Sequence, residues 1–283
     1  MTNGRVWVTG AGGLIGSALV RTAATAGRKN VVGLTRQVLN LTDRAAVQQR
    51  FEQERPVLVF HCAALSKTPA CTADPALARK LNVEVTTFLA ELASDIPLFF
   101  LSTDLVFDGK EGNYVETAAV NPLSIYAETK VEAEAGVRKN SRHTIVRTSL
   151  NGGTSPTGDR GFNEELRQAW REGKTLRLFT DEFRSPIAAQ LTADVLWQLA
   201  EAEQPGLYHL AGGRRMSRWE IGTLLAARWP ELKPGIEPGS LKDYQGAPRP
   251  PDTSLDCRKL EGLLHIKLPG LPQWLEEHPA EVF

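Results

Sequence analysis

A tyrosine and a lysine are the residues in this sequence best placed to do chemistry. Tyr126 and Lys130 stand four positions apart in the segment NPLSIYAETK at 121–130, and this spacing places both on one face of a predicted helix. A phenol with an ordinary pKa near 10 exchanges protons poorly at neutral pH, whereas a neighbouring ammonium favours the phenolate and lowers that pKa. We predict that Tyr126 is a general acid whose pKa is lowered by Lys130. Such a pair also occurs by chance on protein surfaces, so its position matters.

A threonine at the end of a predicted strand supports the catalytic interpretation. Thr103 lies in the segment LSTDLVFDG at 101–109, and it precedes Tyr126 by 23 residues. Its hydroxyl can donate to a substrate carbonyl oxygen and stabilise the charge that develops there. Lys130 can also bind the ribose of a dinucleotide, whose nicotinamide supplies the hydride. The predicted catalytic set for reduction of a carbonyl is therefore Thr103, Tyr126 and Lys130.

A glycine-rich turn near the start of the chain predicts where that dinucleotide binds. The segment TGAGGLIG at 9–16 follows the apolar run VWV and precedes a helix, so its backbone amides can bind a diphosphate. The spacing of its glycines differs from the usual Rossmann GxGxxG pattern, and a flexible loop is the alternative. The place of the turn between a strand and a helix favours a cofactor site. The predicted cofactor-binding residues here are Gly10, Gly13, Leu14, Ile15 and Gly16.

Two further segments extend the predicted cofactor site. The second strand, 31–34, is followed by Thr35 and Arg36, where NAD-binding proteins of this type carry a carboxylate for the ribose hydroxyls. Arg36 can pair with a 2'-phosphate, which favours NADP(H) and leaves NAD(H) possible; a solvated loop charge is the alternative. After the third strand, the small residues Ala63 and Ala64 allow a dinucleotide to lie close to the edge of the sheet.

Two motifs of this sequence resemble those of a known enzyme family. The segments STDLVFDG at 102–109 and YAETK at 126–130 resemble the STDxVFDG and YGxTK motifs of the dTDP-4-dehydrorhamnose reductase family, within the extended short-chain dehydrogenase/reductase superfamily. The resemblance implies NAD(P)H-dependent reduction of the 4-keto group of a nucleotide-diphosphate deoxysugar, as in dTDP-rhamnose biosynthesis, by Thr103, Tyr126 and Lys130. It also implies that Asp104 lies beside the substrate. Leu150 stands where the family often has a tryptophan next to the sugar, so the identity of the substrate stays open.

The apolar runs alternate with helical patterns, which predicts an α/β fold with a Rossmann-type doubly wound parallel sheet. The expected strands are 5–9, 31–34, 57–60, 97–102 and 143–148, and the expected helices are 14–26, 43–54, 74–93 and 123–140. Residues 1–150 are predicted to form the NADP-binding domain, completed by parts of 185–212. Residues 151–283 are predicted to form a smaller C-terminal substrate-binding lobe, with a long loop at 230–251.

Several single residues also carry predictions. Arg184 and Arg249 can each clamp a substrate diphosphate, although an arginine in such a place is more often a solvated or structural charge. The five residues predicted to belong to the core are Trp197, Trp219 and Trp229, together with the hydrogen-bonded histidines His61 and His209.

Composition excludes several classes of function. The 283 residues include 33 basic and 33 acidic side chains, so no excess charge favours nucleic acid or an anionic membrane. Three separated cysteines and five scattered histidines predict neither a disulfide framework nor a metal site. We expect neither export nor membrane insertion, because the first strand is not preceded by a basic and then apolar segment and no apolar run reaches about 18 residues. We expect a cytoplasmic enzyme that binds a nucleotide sugar, with a homodimer as one possible state.

Two other functions remain open from the sequence. An epimerase or dehydratase of the same superfamily recycles the hydride of bound NAD, but a dehydratase usually needs additional carboxylates beside the threonine. Here Asp104 is followed by Leu105. A non-catalytic NADP-binding protein, resembling the regulatory partner of methionine adenosyltransferase, is free to lose the tyrosine or the lysine. Both residues are present, which favours the reductase.

Overall fold

A six-stranded parallel sheet forms the centre of the protein. The computed structural model describes residues 4–281 and residue 283. The sheet has the order β10-β5-β4-β3-β1-β2, with every neighbouring pair parallel. In chain order the strands are β1 Val6–Thr9, β2 Val31–Leu34, β3 Leu58–His61, β4 Leu98–Thr103, β5 Thr144–Thr148, β6 Asn151–Gly152, β7 Thr175–Phe179, β8 Phe183–Arg184, β9 Ile187–Ala188, β10 Leu207–Leu210, β11 Met216–Ser217 and β12 Gly235–Gly239.

Helices cover both faces of this sheet. On one face α1 and α8 pack together with α10, and on the other face α2, α5 and α6 surround the second apolar cluster. The predicted doubly wound α/β fold is therefore confirmed. The helices are α1 Leu14–Thr22, α2 Arg44–Glu54, α3 Thr68–Ala73, α4 Pro75–Arg79, α5 Val85–Leu92, α6 Ile125–Val137, α7 Phe162–Arg171, α8 Ala189–Ala202, α9 Arg218–Arg228, α10 Arg258–Leu264 and α11 Leu271–Glu277.

The chain reverses its direction across the sheet at β1. From β1 it adds β2 on one side, and then β3, β4, β5 and β10 on the other. In an open parallel sheet the ligand crevice lies at the carboxyl ends of the strands, where the strand order reverses. The segments that follow β1, β3 and β4 therefore border the crevice.

The second half of the chain adds a smaller lobe with its own apolar cluster. Helices α7, α9 and α11 pack there with the parallel pair β7 and β12. The prediction of one long loop at 230–251 was wrong, because residues 235–239 pair with β7 in register. Pro238 does not prevent this, since an edge strand tolerates a missing amide donor. In residues 4–281, each helix is too short or too polar to cross a bilayer.

The predicted helix at 74–93 is interrupted. Asp74 accepts a hydrogen bond from Leu77 N at 2.9 Å and caps α4, and a π-helical turn at Lys80–Glu84 separates α4 from α5. Such turns widen a helix locally and often lie at functional sites. The helices predicted at 14–26 and 123–140 are shorter than expected. The first ends at Thr22, and the second ends at Val137.

Two of the three tryptophans predicted to belong to the core are buried. Trp197 donates to Leu19 O at 3.3 Å beneath α1, and Trp229 packs in the lobe. Trp219 is half-buried and packs at the edge of that cluster, so it belongs to the core only in part.

Candidate active site

The turn between β1 and α1 requires its glycines. Gly10 has a φ of +68°, and a Cβ there would lie 2.6 Å from Ala63 N. A Cβ on Gly16 would lie 2.3 Å from Gly10 O. The residue that precedes α1 is Gly13, which has no side chain to accept from the first amides of the helix. The amino end of α1 therefore offers backbone donors for an anion, as a dinucleotide site requires.

The other predicted cofactor residues lie around this turn. Ala63 N donates to Thr9 Oγ1 at 3.3 Å, which fixes the segment after β3 against the end of β1. Ala64 is exposed, Leu14 is buried and Ile15 is half-buried. Arg36 is exposed two residues beyond the end of β2, where Ala11 N donates to Leu34 O at 3.3 Å.

Tyr126 lies beneath the carboxyl end of β4. Ser124 caps α6 by accepting from Ala127 N at 3.3 Å, which places Tyr126 in the first turn of the helix. Burial raises the pKa of Tyr126, and the Asp104 carboxylate acts in the same direction, while the Thr103 hydroxyl interacts with the phenol and opposes them. Without a cofactor the pKa of Tyr126 is therefore raised, chiefly by burial, and Lys130 is not among the groups that act on it; a lowered pKa in the presence of Lys130 and a bound cofactor stays a prediction.

Lys130 lies one helical turn further along α6 and is directed towards the sheet. Its ammonium donates to Leu101 O at 2.6 Å and lies 3.9 Å from the centre of the Phe100 ring. Burial lowers the pKa of Lys130 to about 7, although Glu134 and Cys62 act to raise it. The amine is thus held close to the balance between its charged and neutral forms at neutral pH.

Asp104 organises the hydroxyls beside Thr103. Its carboxylate accepts from Ser149 Oγ at 2.7 Å, from Thr253 Oγ1 at 2.9 Å and from Thr103 Oγ1 at 3.2 Å. Arg184 Nη1 lies 3.4 Å from the same carboxylate. Ser149 and Thr253 were not predicted as site residues, because they come from distant segments and share no spacing with Thr103.

The two arginines proposed as clamps contact one buried carboxylate. Glu182 is fully buried and accepts from Arg184, Arg218 and Arg249 at 3.1, 3.0 and 2.6 Å. Burial opposes ionisation of Glu182, but these three cations lower its pKa to about 2. Arg184 is buried between Asp104 and Glu182, whereas the Arg249 side chain is 36% exposed.

Leu150 lies on the side of the lobe. Its carbonyl oxygen accepts from Ile187 N at 3.0 Å, and its half-buried side chain packs against the lobe cluster. The position connects β5 with the lobe, next to Ser149.

Asn82 joins the segment after β3 to α6. It stands in the π-helical turn, accepts from Leu65 N at 2.8 Å and donates to Leu65 O at 3.1 Å. It also donates to Thr129 Oγ1 at 3.0 Å, and this hydroxyl donates to Tyr126 O at 2.7 Å. The role of Asn82 depends on these contacts between distant segments, which the local sequence does not show.

His61 and His209 are hydrogen-bonded core residues, as predicted. His61 bridges Thr9 Oγ1 at 2.7 Å and Thr86 Oγ1 at 2.9 Å. Burial lowers the pKa of His61 to about 3, and the nearby Lys130 acts in the same direction. His209 Nδ1 lies 3.0 Å from Tyr114 O. Within residues 4–281, no group of three or more histidine, cysteine, aspartate or glutamate side chains is arranged to hold a metal ion.

The chain is similar to several known proteins over most of its length. A probable low-salt glycan biosynthesis reductase of Haloferax volcanii is 30% identical over 282 residues, which cover 94% of each chain. Methionine adenosyltransferase 2 subunit beta of Xenopus laevis is 29% identical over 272 residues, which cover 91% of this chain and 81% of that protein. The dTDP-4-dehydrorhamnose reductase of Bacillus anthracis, solved in complex with NADP, shares the fold with a TM-score of 0.90 at 23% identity over 98% of each chain.

The family model agrees with these similarities over almost the whole length. The model described as RmlD substrate binding domain matches residues 4–281. This range includes the glycine turn, the Tyr126 and Lys130 helix, and the lobe. The chain therefore belongs to the RmlD substrate binding domain family.

Proposed function

We propose that this protein is an NAD(P)H-dependent reductase of the 4-keto group of a nucleotide-diphosphate deoxysugar, of the dTDP-4-dehydrorhamnose reductase type. The observation that carries the proposal is the Tyr126 phenol beside the Thr103 hydroxyl at the carboxyl end of β4. Lys130 lies one turn along the same helix, and the glycine turn follows β1, two strands away in the sheet. The family match and the similarity to named reductases support it.

The residues of the site suit carbonyl reduction. When bound, the nicotinamide cofactor supplies the hydride to the carbonyl carbon. Tyr126 donates its phenolic proton to the carbonyl oxygen, and the Thr103 hydroxyl stabilises the charge on that oxygen. The raised pKa of Tyr126 keeps the phenol protonated, which is the form that the reduction consumes. Lys130 binds the cofactor ribose.

The cradle fits a dinucleotide, and NADP(H) is the favoured form. The glycines of the turn leave space that Cβ atoms would fill, and the exposed Arg36 follows β2 where a carboxylate would select NAD. Ala63 and Ala64 border the same edge. NAD(H) remains a possible cofactor, because a single exposed arginine makes only part of a phosphate site.

On the substrate side, the two arginines have different proposed roles. The Arg249 side chain is partly exposed and donates two hydrogen bonds to the Glu182 carboxylate. Its guanidinium lies 5.4 Å from the centre of the Phe179 ring. We assign Arg249 to the substrate diphosphate. Arg184 is buried against Asp104, so it acts on the substrate by holding that carboxylate in place.

A regulatory function is the second candidate. The observation that favours it is the similarity to methionine adenosyltransferase 2 subunit beta over 91% of this chain. A protein of this kind binds the dinucleotide and a catalytic subunit without turning over a sugar.

A coupled assay separates these functions. The protein is mixed with NADPH and a panel of 4-keto nucleotide sugars while NADPH absorbance and products are followed. Net NADPH consumption supports the reductase. Product formation without net consumption indicates an epimerase or dehydratase. NADPH binding without turnover, together with co-elution of a methionine adenosyltransferase catalytic subunit, indicates the regulatory function.

A variant of Tyr126 tests its assignment as the proton donor. Tyr126→Phe removes the proton donor, so we expect turnover to fall about 10²–10⁴-fold while NADPH affinity changes little. Tyr208→Phe makes the same change at a tyrosine outside the site, whose hydroxyl donates to Gln204 O at 3.1 Å, and serves as the control. Turnover by Tyr126→Phe within a few-fold of the wild type would contradict the assignment.

A further inference from the structure

We propose that Glu134 is a positioning residue for Lys130, a buried carboxylate that keeps the amine charged and fixes α6 against the end of β4. The inference rests on the proposed function, in which Lys130 binds the cofactor. Glu134 follows Lys130 by four residues and Tyr126 by eight, so the three share one face of α6. Their exposed fractions are 9% for Tyr126, 2% for Lys130 and 1% for Glu134.

Glu134 attaches the helix to the two strands that carry the site. Ser102, the residue before Thr103, donates to Glu134 Oε1 at 2.6 Å. Arg147 on β5 donates from Nε to Oε1 at 2.9 Å and from Nη2 to Oε2 at 2.7 Å. These contacts fix the height of α6 along β4, and hence the position of Lys130 relative to Thr103.

Among the groups around Lys130, Glu134 carries the negative charge, and the other neighbours named below are uncharged. From the end of β3, His61 is neutral, because burial lowers its pKa to about 3, and the Cys62 thiol is protonated, because burial raises its pKa to about 12. From β4, the Phe100 ring and Leu101 O contact the amine. Burial alone disfavours the ammonium, and Glu134 opposes this effect.

Removal of the carboxylate also unmasks positive charge. Glu134 accepts from the half-exposed Arg138 at 2.9 Å as well as from Arg147, and His209 on β10 stands in register with Arg147. With a neutral side chain at 134, the buried Arg147 guanidinium loses its counter-charge.

The charge of Lys130 can be measured directly by NMR titration of the lysine Nζ groups. The other ten lysines of the chain are exposed, and the signal that Lys130→Arg removes identifies the buried one. In Glu134→Gln we expect the titration midpoint of Lys130 to fall by about one pH unit or more. Glu132→Gln changes an exposed carboxylate on the same helix, paired with Arg79, and we expect no shift. An unchanged midpoint in Glu134→Gln would overturn the proposal.

A second variant allows for the case in which Glu134→Gln does not fold, since a buried cation without its partner is strongly destabilising. Glu134→Gln with Arg147→Met removes both charges at similar volume. We expect the Lys130 midpoint to lie below that of the wild type here too, and a wild-type midpoint would refute the proposal.

Cofactor binding separates this inference from the proposed function. In the wild type we expect NADPH affinity to weaken as pH rises through the Lys130 midpoint, and in Glu134→Gln to weaken at lower pH. A wild type that does not bind NADPH at any pH would defeat the proposed function, while the NMR midpoints still decide the role of Glu134.

Discussion

At the residue scale, the buried hydrogen bonds beneath the glycine turn define the proton positions of His61. Thr86 Oγ1 donates to Asn82 O at 2.7 Å, so it must accept from His61 Nε2. His61 Nδ1 is then an acceptor for Thr9 Oγ1, which itself accepts from Ala63 N. The chain of bonds uses a neutral imidazole, and a proton on Nδ1 would break it.

This arrangement predicts how stability depends on pH. His61 has a pKa of about 3 in the folded protein and an ordinary value near 6.5 when unfolded. The unfolded chain therefore binds the extra proton, and stability falls as pH falls from about 6.5 to about 3. Between about pH 7 and about pH 5 the loss from His61 is about 2 kcal/mol.

Urea unfolding of the wild type and of His61→Gln at these two pH values measures that loss. We expect the variant to be less stable near pH 7 and to lose less stability on acidification. His209, whose pKa burial lowers to about 4, contributes to both proteins and cancels in the difference. Equal pH dependence in the two proteins would show that His61 is not the group that titrates.

At the scale of single elements, the β1 to α1 turn combines a left-handed backbone with a close contact. Gly10 and Gly27 have the same φ of +68°, but a Cβ on Gly10 would meet Ala63 N at 2.6 Å, while nothing lies within 4 Å of one on Gly27. Gly27→Ala should cost about 1–2 kcal/mol for the backbone alone. Gly10→Ala should cost about 1–3 kcal/mol more and weaken NADPH binding.

Denaturant unfolding and NADPH titration of the two variants test this difference. If Gly10→Ala and Gly27→Ala behave alike in both measurements, the turn is not the close-packed cofactor cradle that we propose.

The elements that the sequence predicted are those with a strong local signal. The strands β1, β3 and β4 begin with buried apolar runs, and the glycine turn and the Tyr126 to Lys130 spacing are local patterns. The π-helical turn was missed because its cause is tertiary, namely the contacts of Asn82 with Leu65 and Thr129. The strand β12 was missed because its pairing with β7 depends on a segment 60 residues earlier.

At the scale of the whole molecule, one ionic network connects the sheet to the lobe. Asp104 follows β4, Arg184 ends β8, and Glu182 joins Arg184 to Arg218 and Arg249. Arg184 was predicted as a clamp because a sequence shows its charge but not the two carboxylates that surround it. For the same reason the roles of Glu134 and Ser149 were not predicted, because their partners Ser102, Arg147 and Asp104 lie in other segments of the chain.

The central carboxylate of this network, Glu182, should be important for stability. Glu182→Gln leaves three arginines around a buried neutral group, so we expect a loss of about 3–5 kcal/mol in the free energy of unfolding. Because the folded pKa of Glu182 is lowered to about 2, its contribution is present above about pH 4.5 and is lost as pH falls towards 2.

Chemical unfolding near neutral pH measures the loss. Arg177→Gln, which breaks an exposed pair with Asp243, is the control and should cost less than about 1 kcal/mol. A cost for Glu182→Gln as small as that of the control would show that the network does not join the sheet to the lobe.

The most direct test of the central claim is a crystal structure of the protein with NADP bound. We predict that the diphosphate lies on the amides after Gly13, that the ribose contacts Lys130, and that the nicotinamide ring faces Tyr126. The ring and the phenol must leave a substrate carbonyl within about 3–3.5 Å of both the hydride-bearing carbon and the phenolic oxygen. A nicotinamide ring bound well beyond reach of the Tyr126 phenol would contradict the proposed reductase.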